Sequence, residues 1–169
     1  MLFLNCGIRR SELVNLNLSD VYEDRIRVIG KGNKERFVYF GSACRKAIDA
    51  YLPERNQKVL TDNRALFGSR DNNRISVTAV HRLVKKALLQ AGLDSTQYSA
   101  HKLRHTAATM MLSGGVDVKT VQEVLGHENL NTTQIYTHIE STELKIAAEA
   151  NPLSKLDFSE KIEDNIESN

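Results

Sequence analysis

RIRVIGKGNKERFVYF, residues 25–40, is the stretch that decides the fold class. Residues 25–30 and 35–40 each alternate apolar with polar side chains, the period of a strand with one buried face. Between them GKGNK (30–34) supplies glycines and an asparagine, which reach the backbone conformations that a tight reversal needs. The segment predicts a β-hairpin with Lys31 at its tip.

Downstream the apolar period changes from two to about 3.6. Ser42 is placed to cap a helix over Ala43 to Leu52 ended by Pro53, and residues 54–74 read as a polar connection interrupted by Ala65-Leu66-Phe67. Ser76 then caps a helix whose stripe is Val77, Val80, Leu83, Val84, Ala87 and Leu88, closed by Gly92. Helices follow over His101–Leu112, ended by Gly114-Gly115, and over Val118–Leu125, set between Asp117 and Gly126. A last one follows Asn131 and stops near Asn151-Pro152. Upstream, the first six residues read as the last turn of a helix running into Gly7, Ser11–Leu18 as a short helix, and Asp20 as the start of an extended region. Three short extended segments early and helices thereafter make the expected fold class α+β, mostly α.

Length and composition fit one globular domain. No apolar run is long enough to cross a bilayer and the first residues do not form a secretion signal, so a cytoplasmic location is expected. Cys6 and Cys44 are far apart in sequence and form no CxxC pair, which points to reduced, packed thiols rather than a cysteine zinc site. The overall charge of +2 conceals an asymmetry. Residues 157–169 hold five acids and one lysine, net −4, and subtracting that from +2 leaves +6 on the rest. A basic body with an acidic tail fits a polyanionic partner.

The chemistry-bearing residues concentrate in the C-terminal half, in HKLRH (101–105), LGH (125–127) and IYTH (135–138). His101 and Arg104 share a helix face. On one continuous helix His127 and Tyr136 would point to nearly opposite faces, but Gly126 ends a helix and the ENLNTT segment can cap another, so a turn lets both face one pocket. His101 and His105 also have the spacing of paired zinc ligands, yet Lys102 stands where a metallohydrolase has its glutamate. GKGNK is not a phosphate loop either, because it joins strands and lacks GxxxxGK[ST].

Five segments together, Gly7-Ile8-Arg9-Arg10-Ser11-Glu12-Leu13, Gly30-Lys31-Gly32-Asn33-Lys34-Glu35-Arg36, His101-Lys102-Leu103-Arg104-His105, Leu125-Gly126-His127 and Thr132-Thr133-Gln134-Ile135-Tyr136-Thr137-His138, resemble in order and spacing the signatures of tyrosine recombinases, the phage integrase family. The likeness is greatest to the Xer type. It implies a catalytic domain over residues 1–156, with 157–169 as an acidic tail, and a core-binding domain and the start of the first catalytic helix lying upstream of Met1 in a complete protein. It implies Arg9 and Arg104 as catalytic arginines, Lys31 as the hairpin lysine, His101 and His127 as catalytic histidines, Tyr136 as nucleophile and Glu12 as a supporting acid. Cys6 departs from the threonine usual before Gly7. Lys102, Lys85, Lys86 and Lys119 are candidate DNA-backbone contacts, and His81, His105 and His138 take structural roles.

The residue types suit the implied reaction. A phosphodiester under attack gains negative charge on its non-bridging oxygens, which two guanidiniums bind through paired charge-assisted hydrogen bonds. A tyrosine with a pKa of about 10 needs a proton acceptor, which His101 provides, while His127 hydrogen-bonds a phosphate oxygen and Lys31 protonates the departing 5′-oxygen. The resulting 3′-phosphotyrosine keeps the ester bond for rejoining, with neither metal nor cofactor required. The implied partner is a double-stranded recombination site, with a homotetramer assembled on DNA through the apolar series Leu144, Ile146, Ala147, Ala148, Leu153 and Leu156, and a monomer off it. Two rival readings remain: a DNA-binding fragment that does not cleave on its own, and a type IB topoisomerase-like enzyme.

Overall fold

The computed structural model describes residues 1–126 and 141–155. Strands β1 (Arg25–Ile29) and β2 (Glu35–Tyr39) pair antiparallel, with Arg25 opposite Tyr39 and Ile29 opposite Glu35. Ile26, Val28 and Val38 fill the inner face of this hairpin. Its turn is closed by the Gly30 amide donating to the Lys34 carbonyl at 2.8 Å, and Lys31 stands exposed in a short 3₁₀ turn, Lys31–Asn33. The expected hairpin and its tip are both present.

Seven α-helices surround the hairpin among the described residues: α1 (Leu2–Asn5), α2 (Arg10–Asn15), α3 (Ser42–Gln57), α4 (Val77–Gln90), α5 (Ala100–Ser113), α6 (Val118–Leu125) and α7 (Ser141–Ala150). The caps are largely those expected. Ser76 accepts from the Ala79 amide, Ser99 from Lys102, and Asp117 from Lys119 and Thr120. At the end of α4 the Leu93 amide bonds the Leu88 carbonyl and Gly92 the Leu89 carbonyl around a left-handed Gly92, so the last carbonyls are satisfied. On α4 only Val80, Val84 and Leu88 of the expected stripe are buried, whereas Val77 and Leu83 are exposed.

Three expectations need correction. The helix over 43–52 does not end at Pro53 but continues to Gln57. Proline there removes one hydrogen bond, to the Asp49 carbonyl. The turn is instead held from outside by the buried Arg55, which donates to the carbonyls of Ala65, Lys58 and Asn63, and by the Tyr51 hydroxyl donating to the Leu66 carbonyl. Ser42 is the first residue of α3 rather than its cap, and its hydroxyl donates to the Ser154 carbonyl at 3.2 Å. Asp20 ends a 3₁₀ turn, Leu18–Asp20, and the sheet has two strands. Among the described residues, further extended pairing is confined to isolated bridges, of which Asn17–Ala65 ties the 54–74 connection to the segment after α2 and Gly68–Arg74 closes a turn within the connection.

The core joins the hairpin's inner face to α1 through α7 and includes the buried, free Cys6 and Cys44. Helix α7 packs on its own domain. Ala147 and Ala148 are buried, Lys145 Nζ lies 2.7 Å from Asp24 Oδ2, and Asn151 Nδ2 donates to the Leu4 carbonyl at 2.7 Å. Ile146 is 58% exposed. The expected start of this last helix, with His127 and Tyr136, lies outside the described residues, as do the side chains of Leu144 and Leu156. Among the described residues no helix is long and apolar enough to cross a membrane.

Candidate active site

Three arginines from three elements converge on the C-terminal end of α6. Arg36 on β2 donates through Nε to the Val124 carbonyl at 3.2 Å and through Nη2 to the Leu125 carbonyl at 3.3 Å. Arg104 on α5 donates to the Leu125 carbonyl at 2.6 Å and to the Gly7 carbonyl. Arg9, at the start of α2, donates to the Gly126 carbonyl at 2.6 Å. A helix end exposes unpaired carbonyls and carries the negative end of the helix dipole, so it is a natural anchor for guanidiniums.

Two glycines make this convergence possible. Gly126 is left-handed, φ +64°, and a Cβ there would come within 2.9 Å of Arg36 Cζ. Gly7 is also left-handed, φ +57°, and its missing Cβ leaves room for Leu125 Cδ2. Any side chain at either position would push apart the segments whose carbonyls the arginines hold.

A single carboxylate sits among the three cations. Glu12, with a side chain 1% exposed, accepts from Arg36 through both oxygens at 2.8 and 3.1 Å and from Arg9 Nη1 at 2.9 Å. Glu12 Oε2 also accepts from the Arg9 amide at 2.7 Å, closing a capping arrangement at the start of α2. Burial alone would raise the Glu12 carboxyl, but the hydrogen bonds from Arg36 and Arg9 and the charge of Arg36 outweigh it and hold the group below the usual glutamate range.

This arrangement has a consequence for acid stability. Because the folded pKa is depressed, the stabilisation is fully present above the unfolded value of about 4.3 and is lost as pH falls through the lower folded value. Glu12→Gln should cost about 3 kcal/mol at neutral pH, by leaving two guanidiniums short of their anion, and should flatten the decline in stability below about pH 4.3. Urea unfolding from pH 3 to 7 checks it; parallel curves for parent and variant would remove Glu12 from the acid response.

Among the described residues Glu12 is the one carboxylate bonded to these guanidiniums, and one does not balance three. Arg104 is 6% exposed, and burial first, then the charge of Arg9, push it down to about 10. It is still a cation at neutral pH, held at an electrostatic cost that a bound anion would relieve. Room for that anion lies alongside: a pocket of about 420 Å³ is lined by Arg9, Arg10, Ser11, Ala100, His101 and Arg104, with Ile8 and Val77. His101 is exposed in the first turn of α5, its ring edge-on to His105 with centroids 4.8 Å apart. Among the described residues no group of three His, Cys, Asp or Glu is placed to hold a metal ion.

The structure therefore brings Arg9, Glu12, His101 and Arg104 together. Gly30, next to Lys31, lies over the same cluster, a Cβ there falling 3.6 Å from Arg36 Nη1 and 3.8 Å from Glu12 Oε1. None of the four candidate DNA-contacting lysines, Lys85, Lys86, Lys102 and Lys119, lines the pocket; Lys102 Nζ lies 5.8 Å from the Tyr98 ring centre. His127 directly follows Gly126, outside the described residues, as is Tyr136. Sequence reasoning missed Arg36 as a site residue. Its signal was the strand alternation, which puts residue 36 on the same inward face as Val38 and opposite the buried Val28.

The chain is similar to curated proteins named tyrosine recombinase XerC: 56% identical over 155 residues to that of Caldanaerobacter subterraneus subsp. tengcongensis, covering 91% of this chain and 44% of that protein. It is 46% identical over 140 residues to that of Corynebacterium glutamicum, covering 82% and 44%. It spans about half the length of the curated relatives it matches. Among solved structures it is similar to the XerA recombinase, with a TM-score of 0.69 and 36% identity over 85% of this chain and 53% of that one. It is also similar to the XerH site-specific recombinase bound to its difH substrate, with a TM-score of 0.67 and 30% identity over 87% of this chain and 44% of that one. The model of the phage integrase family matches residues 1–143, so the chain belongs to the phage integrase family, whose tyrosine recombinases share its mostly helical catalytic fold.

Proposed function

We propose that this chain is the catalytic domain of a site-specific DNA recombinase that breaks and rejoins DNA through a 3′-phosphotyrosine. The observation that carries this reading is the pocket in which Arg9 and Arg104 stand with His101 around an unbalanced positive charge. The non-bridging oxygens of a phosphodiester fit it, because their charge grows as the phosphorus becomes five-coordinate, and fixed guanidiniums bind that state more tightly than the ground state. Tyr136 Oη attacks phosphorus and gives its proton to His101. A new P–O bond to tyrosine forms as the P–O5′ bond breaks, and Lys31 gives the leaving 5′-oxygen its proton. His127 supports a phosphate oxygen, and a 5′-hydroxyl from a second strand reverses the sequence.

Double-stranded DNA is the partner that the basic body favours, and the XerH site-specific recombinase structure similar to this chain is bound to its difH substrate. The test is a nicked suicide duplex, from which the short downstream fragment bearing the freed 5′-hydroxyl diffuses away after cleavage. The full-length protein should accumulate a covalent adduct in the presence of a chelator, whereas a binding module would shift the duplex and leave it uncut.

We further infer a homotetramer on DNA and a monomer for the isolated chain. Helix α7 lies here on its own domain, so assembly through its buried apolar residues on a neighbouring copy requires the Lys145–Asp24 and Asn151–Leu4 contacts to open. Sedimentation should give one copy for the isolated chain and four for the full-length protein with paired sites; dimers alone on paired sites would count against it.

A further inference from the structure

We propose that Arg36 is a positioning residue for DNA cleavage, clamping the Lys31 hairpin tip against Glu12 and the end of α6 so that the Lys31 ammonium stays over the arginine pocket. The proposal rests on the reading of Lys31 as proton donor.

The hairpin has two differently anchored ends. Its base is fixed by apolar packing, through Ile26, Val28, Val38 and Phe40. Its tip is polar: Lys31, Gly32, Asn33, Lys34 and Glu35 are all exposed. Arg36 is the residue where one becomes the other. It sits one residue past the tip segment, opposite Val28, with its side chain directed inward and 18% exposed. All three of its guanidinium nitrogens are committed, Nη1 and Nη2 to the two oxygens of Glu12, and Nε and Nη2 to the Val124 and Leu125 carbonyls. None is directed to the pocket, and Arg36 does not line it. Its role is therefore different from those of Arg9 and Arg104.

The bonds of Arg36 define the tip's position relative to the residues that hold the phosphate. Glu12 is shared with Arg9, and the Leu125 carbonyl is shared with Arg104. A planar fork fixes direction as well as distance, whereas an ammonium offers only a point charge. Lysine at position 36 would keep a cation beside Glu12 but could not hold both carboxylate oxygens and both carbonyls. The tip would then be free to drift by an ångström or so, enough to slow a step that needs one proton delivered to one oxygen.

A bridging 5′-phosphorothiolate supplies the test, because a thiolate leaves without a proton. The full-length protein, Lys31→Ala and Arg36→Lys are compared for adduct formation on ordinary and sulfur-bridged nicked duplexes, with thermal unfolding and DNA affinity measured in parallel. Arg36→Ala strips a buried carboxylate of its main partner and risks unfolding, so the lysine variant carries the test. Arg36→Lys should slow cleavage of the ordinary duplex on the order of 10²-fold, and come within about threefold of the parent on the sulfur duplex, as Lys31→Ala should. If Lys31→Ala is rescued by sulfur and a folded Arg36→Lys is slowed equally on both, Arg36 acts through the phosphate clamp of Arg9 and Arg104, and the proposal is wrong. If Lys31→Ala itself is not rescued, Lys31 is not the proton donor and both readings fall.

Discussion

Tyr136→Phe should abolish the covalent adduct on the suicide duplex while leaving DNA binding nearly intact. The change removes one oxygen and keeps the ring. Binding should fall at most about tenfold, the worth of one neutral hydrogen bond of about 1 kcal/mol. Cleavage should disappear, because phenylalanine has no hydroxyl to attack phosphorus. Of the chain's five tyrosines, Tyr22, Tyr39, Tyr51 and Tyr98 lie among the described residues, and none of these four lines the arginine pocket. The Tyr51 hydroxyl is engaged with the Leu66 carbonyl, and Tyr39 packs against the Arg25 and Lys145 side chains. Tyr136, which the resemblance names as nucleophile, lies outside the described residues. An adduct that persisted in the variant would overturn the assignment, and peptide mapping of the cross-link would name the residue responsible.

Much of the fold could be read from residues whose local physics is decisive. The hairpin was legible because strand alternation, turn glycines and a polar tip agree, and the helix ends because Ser76, Asp117, Gly92 and Gly126 satisfy backbone groups that would otherwise be orphaned. Pro53 misled because its local cost is offset at a distance, by three hydrogen bonds from Arg55 to carbonyls in the following connection. Beyond Gln57 the expected polar connection is present. The polarity of residues 54–74 hides two arginines, Arg55 and Arg74, that bond backbone rather than water, with Arg74 reaching the Val14 and Leu16 carbonyls and Asn17.

The site was legible to a similar depth. Arg9, Glu12, His101 and Arg104 were named from spacing and resemblance, and the structure gathers them. What sequence could not supply is the use of each guanidinium. Arg9 and Arg104 brace backbone as well as face the pocket, so the same contacts that fold the domain aim the site. Arg36 went unnoticed because one inward arginine on a strand gives no hint of its partners until α2 and α6 are in place.

Arg104→Lys should separate binding from catalysis. Duplex affinity comes from many phosphate contacts spread over the protein, so replacing one cation with another should change it less than about tenfold. Cleavage should fall on the order of 10³-fold, the scale of losing a preorganised donor to transition-state charge. Lysine cannot bond the Gly7 and Leu125 carbonyls and still present a fork to the pocket. The site adds a second penalty. Burial and the neighbouring Arg9 already push the Arg104 guanidinium down to about 10, and the same two causes act on an ammonium whose ordinary value is about 10.4, so a lysine there would titrate much closer to neutrality. The residual cleavage of the variant should therefore fall as pH rises from 6 to 9, while that of the parent, whose arginine stays charged, should not show the same decline. A variant that lost affinity and cleavage in equal proportion would mean that Arg104 serves to bind DNA rather than to stabilise the reacting phosphate, and a flat pH profile would mean that its neighbours do not press on its charge.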